Sequence, residues 1–424
     1  MDEYTRKLAT FAASLDFVDL PSGVIDNAKL CLLDTLGCGL FGSTLPWSQI
    51  LANCVVDIEG GSGCTLWGLS AKASPTGAAL VNGSMVHGFE LDDLHKQSIV
   101  HPGSVTATAA LAVAERLGSI SGKRFLTAMV AGYEVAARVG MCLGTAHLLQ
   151  GWHPTGTHGT LAAAAAAGSV LGLAPDLMQQ AFGIAGTQAS GLMSSQYSSM
   201  VKRFHAGRAA QSGVYAAFLA RRGYTGITGL FEYEYGGYCT TFSPSFDREK
   251  LIAGLGETWE INTVGFKPYS TNGSCHTAID ALVELRNLYG LRPDDIEAVR
   301  VFTSSATFEH VGWPYAPDSV TTAQMNLPYI AAVTIATGEA FVDQFTEERI
   351  RDGELVALAG RVAVIVDPDM DARGPAQRHY IRLEVKLKDG RLLEASRLSA
   401  RGSADFPLTR EEVEQKFERL AGKV

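Results

Sequence analysis

The sequence predicts a mainly α protein, with a large all-helical domain and a smaller α+β domain. Three observations lead there. Apolar residues recur at three- and four-residue spacing through most of the first 260 residues, many of them Ala or Gly. The stretch from Val139 to Val201 carries one formal charge, Asp176, and so reads as interior. Beyond residue 260, alternating strand patterns appear between helical ones.

The helical elements are expected over Thr5–Leu15, Gly23–Gly39, Pro75–His87 and Val105–Leu117. Ser121 opens another that runs to Leu143. Thr160–Leu173 is Ala-rich, Leu177–Ser190 follows, and Gly207–Arg221 closes the set. Small residues let helix backbones approach, so several of these helices should be wholly buried. Strands are expected at Ala298–Thr303, Arg361–Val366, Tyr380–Leu387 and Arg391–Leu398, the last two joined by a hairpin turn at Lys388-Asp-Gly. Helices over His276–Leu288 and Ala323–Thr337 lie among them. Thr409-Arg-Glu-Glu412 forms a capping box ahead of a final helix. The domains are therefore drawn at 1–260, to which 396–424 returns, and 261–395, with the active site expected in the cleft between them.

Bulk properties narrow the function. With 424 residues, 46 % of them hydrophobic, the chain can bury a substantial core. A net charge of −9 argues against nucleic acid and against an anionic membrane surface, so any attraction for an anion must be local. The uncharged stretch is long enough to span a bilayer, but Ala, Gly, Ser, Thr and Gln dominate it and Pro154 breaks it. A buried core and no membrane is the better reading. Seven cysteines without a C-x-x-C pair read as reduced thiols of a cytoplasmic protein. Met-Asp-Glu-Tyr-Thr-Arg-Lys has no apolar core after its charges and reads as no signal peptide.

Four sets of residues carry candidate chemistry. Phe-Glu90-Leu-Asp92-Asp93-Leu-His95 precedes His101-Pro-Gly-Ser, where His-Pro ends regular structure and points His101 at a helix N-terminus suited to anions. His153 and His158 flank Pro154 and two Gly-Thr pairs inside the uncharged run. Lys202, Arg203, His205 and Arg208 follow 25 uncharged residues. Cations at the rim of an interior need an anionic partner, so this set suits a carboxylate ligand, with Lys202 first, then Arg208 and Arg203. Last, Lys267-Pro-Tyr-Ser-Thr-Asn272-Gly-Ser-Cys-His276 lies at the domain junction and leads into a helix. No Rossmann or Walker loop, His-Glu-x-x-His or Gly-x-Ser-x-Gly is present, which points to side-chain acid–base chemistry with no redox or nucleotide cofactor; ten histidines leave room for a metal, but no pair has the i,i+4 spacing with acids that would specify one.

In order along the chain, Leu33-Asp-Thr-Leu-Gly, Asn82-Gly-Ser-Met-Val-His-Gly-Phe-Glu-Leu-Asp-Asp, His101-Pro-Gly, Gly132-Tyr-Glu, Gly151-Trp-His-Pro-Thr, Lys202-Arg-Phe-His-Ala-Gly-Arg, Phe266-Lys and Asn326-Leu-Pro-Tyr resemble the MmgE/PrpD family of 2-methylcitrate dehydratases and cis-aconitate decarboxylases. The resemblance covers nearly the whole chain. It implies a metal-independent homodimer acting as a lyase or isomerase on a small di- or tricarboxylate. It carries active-site roles onto Asp93, His101, His153, Lys202 and Lys267. Two departures stand out: Glu90-Leu-Asp-Asp-Leu94 replaces the decarboxylases' Asp-Phe-Asp-Asp-Thr, and Asn272 replaces their histidine. Both count against cis-aconitate decarboxylation without separating dehydration from epimerisation, and a 2-methylcitrate dehydratase-like reaction is the expectation.

The expected chemistry is proton abstraction next to a carboxylate. His101 or His153 is the base and Asp93 orients it, while Lys202, Arg208 and Lys267 hold the developing negative charge. Arg203, His158, His276 and Asn272 complete the expected substrate-binding set. Three alternatives stay open: a dicarboxylate epimerase of the iminodisuccinate type, a metal-dependent hydrolase or hydratase using the same histidines with Asp92 or Asp93, and a non-catalytic carboxylate-binding protein.

Overall fold

In the computed structural model, proline marks where helices begin. Pro46–Glu59, Pro75–Val86, Pro102–Leu117, Pro154–Leu171 and Pro175–Gly186 all start on it. Its fixed φ suits a first turn, and its missing N–H would have no helical partner there. Two of these helices have histidine at the N-cap, His101 and His153. The structure describes residues 3–61, 63–197, 199–374 and 377–424. They fall into two compact units, Met1–Ser194 with Met200–Phe266 and Thr409–Val424, and Ser195–Ser199 with Lys267–Leu408.

The larger unit is built from helices. Tyr4–Ser14, Ser22–Ser43, Gly122–Leu149, Val201–Arg221 and the final Arg410–Ala421 join those above. Pro154–Leu171 lies at its centre, with Ala162 through Ala167 wholly buried. Helices Pro75–Val86 and Val201–Arg221 cross at two glycines, where a Cβ on Gly83 would sit 2.8 Å from Gly207 Cα. Side chains at this crossing would push the helices apart, so the absence of Cβ atoms sets where the start of Val201–Arg221 lies. Gly122–Leu149 is long and apolar enough to cross a membrane, but 89 % of its apolar window is buried inside the protein.

Several elements differ from expectation. Pro46–Glu59 has no counterpart among the expected helices, although Ile50, Leu51, Cys54, Val55 and Ile58 recur at helical spacing. The Ala-rich helix starts at Pro154 rather than Thr160, and the last helix of the run at Val201 rather than Gly207. Two short strand pairs, Cys64–Thr65 with Lys72–Ala73 and Leu94–His95 with Val264–Gly265, are likewise additions. Pairs of two residues carry no periodicity to read.

The smaller unit holds a four-stranded sheet in the order Val362–Val366, Ile296–Thr303, Ile381–Leu387, Leu392–Arg397. The first pair is parallel and the other two antiparallel. Helices His276–Tyr289 and Leu327–Thr337 pack beside it, and the latter is buried along most of its length.

Candidate active site

The site of the larger unit begins at a turn. Helix Pro75–Val86 tightens into a 3-10 turn over His87–Phe89, and Glu90 then adopts φ 57, ψ 33. A left-handed conformation on a non-glycine residue costs on the order of 1 kcal/mol or more. It is held by the side chain: Lys202 Nζ and Arg203 Nη1 both donate to Oε1 of Glu90. All three residues are buried. The first turn of Val201–Arg221 supplies both cations, so the Gly83–Gly207 crossing is what delivers them.

Two residues on, Asp92 bridges two imidazoles. Its Oδ2 lies 2.8 Å from His87 Nδ1, and its Oδ1 lies 3.2 Å from His101 Nδ1, the looser contact. Burial raises the cost of the Asp92 charge, but His101 and His87 facing it hold the carboxyl well below its usual range. Burial pushes His87 down to about 4, so that ring is neutral. An ionised carboxylate only accepts, so His87 presents Nδ1–H to it and keeps a lone pair on Nε2, whereas His101 Nδ1 and Asp92 Oδ1 face each other without hydrogen-bond geometry. Among the described residues, His87 Nε2 is buried without a hydrogen-bond partner.

A second pair of imidazoles completes the cluster. His153 Nδ1 is 3.0 Å from His205 Nδ1, so one proton lies between them. Burial, then the charge of Lys202, holds His153 well below the ordinary imidazole range and His205 at about 4. The His87 ring stands 4.8 Å from that of His101 and 5.5 Å from that of His153. Glu90, Asp92, four imidazoles and two cations thus converge.

Of the residues singled out in the sequence, His101, His153, Lys202 and Arg203 come together here. Asp93 does not take the expected place beside a histidine. Its Oδ1 accepts from Gly103 N–H at 3.0 Å and its Oδ2 from the Tyr133 hydroxyl at 2.7 Å. Burial and the neighbouring Asp34 push it up to about 8, a protonated structural acid. Asp92 stands where Asp93 was expected, because successive residues of an irregular turn point in different directions. Arg208 is exposed and bonded to Gln211. Six residues past Lys202 it lies about 240° around the helix, on another face. His158 joins a separate buried cluster, 3.1 Å from the Tyr238 hydroxyl and with its ring 4.5 Å from that of His147.

Lys267, Asn272 and His276 belong to the smaller unit. Lys267 is buried. Asn272 caps the turn Gly273–Cys275, accepting from Ser274 N–H at 2.9 Å. His276 opens its helix with its ring edge-on to Tyr269, 5.2 Å away. Sequence reasoning misses His87 and gives Glu90 no role of its own. The only signal for them is position: a histidine and an acid flanking Gly88-Phe89 directly before two aspartates.

His87, Asp92 and His101 also offer one ligand atom each within 4.8 Å of one another, and could hold a divalent ion if the His87 Nδ1 proton were displaced. As placed, His87 Nδ1 is engaged with the carboxylate.

The family model described as the MmgE/PrpD N-terminal domain matches residues 6–249, and that of the MmgE/PrpD C-terminal domain matches 269–424. The chain is 35 % identical to the cis-aconitate decarboxylase-like protein oryM of Aspergillus oryzae, over 99 % of this chain and 91 % of that one. It is 32 % identical to the cis-aconitate decarboxylase of Aspergillus terreus, over 99 % and 89 %. The 2-methylcitrate dehydratase of Cupriavidus necator is 24 % identical, over 89 % and 81 %.

Proposed function

Because the chain belongs to the MmgE/PrpD family, we propose that it is a lyase of small tricarboxylates that removes a proton from carbon next to a carboxylate. The observation that carries this is the Asp92 carboxylate spanning His87 and His101 beside the Lys202 ammonium. As the Asp92–His101 contact tightens into a hydrogen bond around bound substrate, it fixes the tautomer in which His101 Nε2 is the base. His101 takes the proton, and the C–H electron pair moves into an enediolate on the adjacent carboxylate. Lys202, with Arg203 behind it, stabilises that charge. Collapse of the enediolate forms the carbon–carbon double bond. It expels a hydroxyl from the next carbon, which leaves as water with a proton from Lys202.

This is a 2-methylcitrate dehydratase-like reaction, and Asn272 in place of the decarboxylases' histidine favours it over decarboxylation. Decarboxylation is the second reading, favoured by the higher identity to proteins named for that activity. Lys267 is assigned to substrate binding on family kinship, and Asn272 and His276 on their place in the polar segment that follows it; a homodimer is likewise proposed on kinship, which sedimentation equilibrium would test. The deciding experiment follows 2-methylcitrate, citrate and cis-aconitate with the enzyme in D2O by NMR. Dehydration of a hydroxy acid, with deuterium entering from solvent in the reverse direction, is expected. Loss of CO2 would select the second reading. Deuterium exchange at carbon with inversion and no elimination would make the chain an epimerase. Binding of all three acids without exchange or turnover would leave a carboxylate-binding protein and end the proposal.

A further inference from the structure

The last helix reaches into the acid turn. Lys416, on Arg410–Ala421, is 5 % exposed, and its Nζ donates to Asp34 Oδ1 and to the Leu91 carbonyl, both at 2.6 Å. Asp34, on Ser22–Ser43, is 1 % exposed, and the backbone N–H of Asp93 faces its carboxyl and favours its charge against burial. The Lys416 bond and the Asp34 contact fall on the two peptide planes that flank Asp92. The Leu91 carbonyl belongs to the plane that ends at Asp92 N, and the Asp93 N–H to the plane that starts at Asp92 C. Since each peptide is rigid, fixing both planes fixes φ and ψ of Asp92, and so the direction of its side chain. Residues 90–93 lie in no helix or strand, and Glu90 at their start and Ile99 further on hold positive φ, so helical or sheet hydrogen bonds do not fix this turn.

We propose that Lys416 is a positioning residue: paired with Asp34, it clamps the backbone of Asp92 so that the carboxylate meets His87 and His101. The C-terminal helix is thereby part of the catalytic apparatus while remaining outside the substrate's reach. The proposal rests on the reading of His101 as base, and its test separates the two.

The experiment compares the wild type with Lys416→Met and with the double variant Asp34→Asn, Lys416→Met. The double variant leaves no unpaired buried charge, and the new amide oxygen at position 34 still faces the Asp93 N–H, but no donor holds the Leu91 carbonyl. Both variants are expected to lose about 100-fold in kcat, the cost of misplacing a catalytic group by roughly 1 Å, with KM little changed because Lys202 and Arg203 are untouched. A substrate-free readout accompanies this. In nitrogen-15 spectra of the imidazoles, His101 should lose its bias toward the Nδ1–H tautomer, while His147, outside the cluster, keeps its wild-type signals. A folded variant with wild-type kcat and an unchanged His101 spectrum would overturn the proposal. So would failure of both variants to fold, since the pair would then serve the core alone. If the wild type turned over none of the acids, the spectra would still decide the clamp, and only the reaction would need revision.

Discussion

Asp92 and Asp93 are adjacent, equally buried, and chemically opposite. Two imidazoles keep Asp92 ionised, whereas Asp93 faces Tyr133, Gly103 N–H and the carboxyl of Asp34, and is driven up to about 8. The difference predicts a clean contrast. Asp92→Asn should lower kcat by about 100-fold or more by releasing the His101 tautomer, as in other carboxylate–imidazole pairs. Asp93→Asn should keep kcat within a few-fold, because an amide can accept from Gly103 N–H and donate to the Tyr133 oxygen; steady-state kinetics on the substrate found by NMR would check both. Stability follows with a definite sign. Between the ordinary carboxyl value near 4 and about 8, folded Asp93 keeps a proton that the unfolded chain releases, so wild-type stability should fall as pH rises through that window. The Asp93→Asn variant has no such proton to keep, so its melting temperature should gain on wild type by roughly 4 °C or more between pH 5 and pH 8. Buried neutral His87 and His147, both at about 4, act the other way, costing stability as pH falls from 6.5. His101, His153 and Lys202 were legible in the sequence because His-Pro and a cation after an uncharged run are local signals. The part played by Glu90 was not, because it depends on a left-handed backbone that the letter Glu argues against.

At the scale of elements, the long helices other than Pro46–Glu59 were readable, but the starts at Pro154 and Val201 were not. Apolar periodicity locates the middle of a helix, whereas the start depends on who satisfies the first free N–H groups. At Pro154 and Val201 the expected starts came six residues late, because Gly-Thr pairs and a Lys-Arg pair look like loop. Those six residues are where His158, Lys202, Arg203 and His205 lie, so the error moved functional groups off a helix and hid that Arg208 faces away from Lys202. The crossing at Gly83 and Gly207 carries the consequence. A methyl group at residue 207 would collide with the Leu80 carbonyl and the Ser84 hydroxyl, which are parts of a rigid helix. Gly207→Ala should therefore destabilise the fold by about 1–3 kcal/mol, read by urea denaturation. It should also displace Lys202 from Glu90 and so lower kcat even at temperatures where the variant stays folded. A variant that melts early yet keeps full kcat when folded would uncouple the crossing from the site.

For the molecule as a whole, composition and the ordered motifs indicated the helical class and the family, since both depend on many weak signals spread along the chain. The reaction rests on few residues, and there the signals diverge: Asn272 departs from the histidine expected of a decarboxylase, whereas overall identity is higher to proteins named for decarboxylation. The division into two units offers a way to find which residues hold the substrate. Each unit buries its own apolar residues, the larger among packed helices and the smaller between helices and a sheet, so heat should unfold the chain in two calorimetric steps rather than one. A ligand stabilises what it binds by RT ln(1 + [L]/Kd), about 2.7 kcal/mol at a hundredfold excess over Kd. Glu90, Asp92, His101, His153, Lys202 and Arg203 all lie in the larger unit. A non-reacting tricarboxylate at saturating concentration should therefore raise the larger unit's step. If Lys267, Asn272 and His276 also bind it, the smaller unit's step should rise too, and Lys267→Ala should cancel that second shift while leaving the first. A shift confined to the larger unit in both proteins would remove those three residues from the binding set and leave the chemistry to the imidazole cluster.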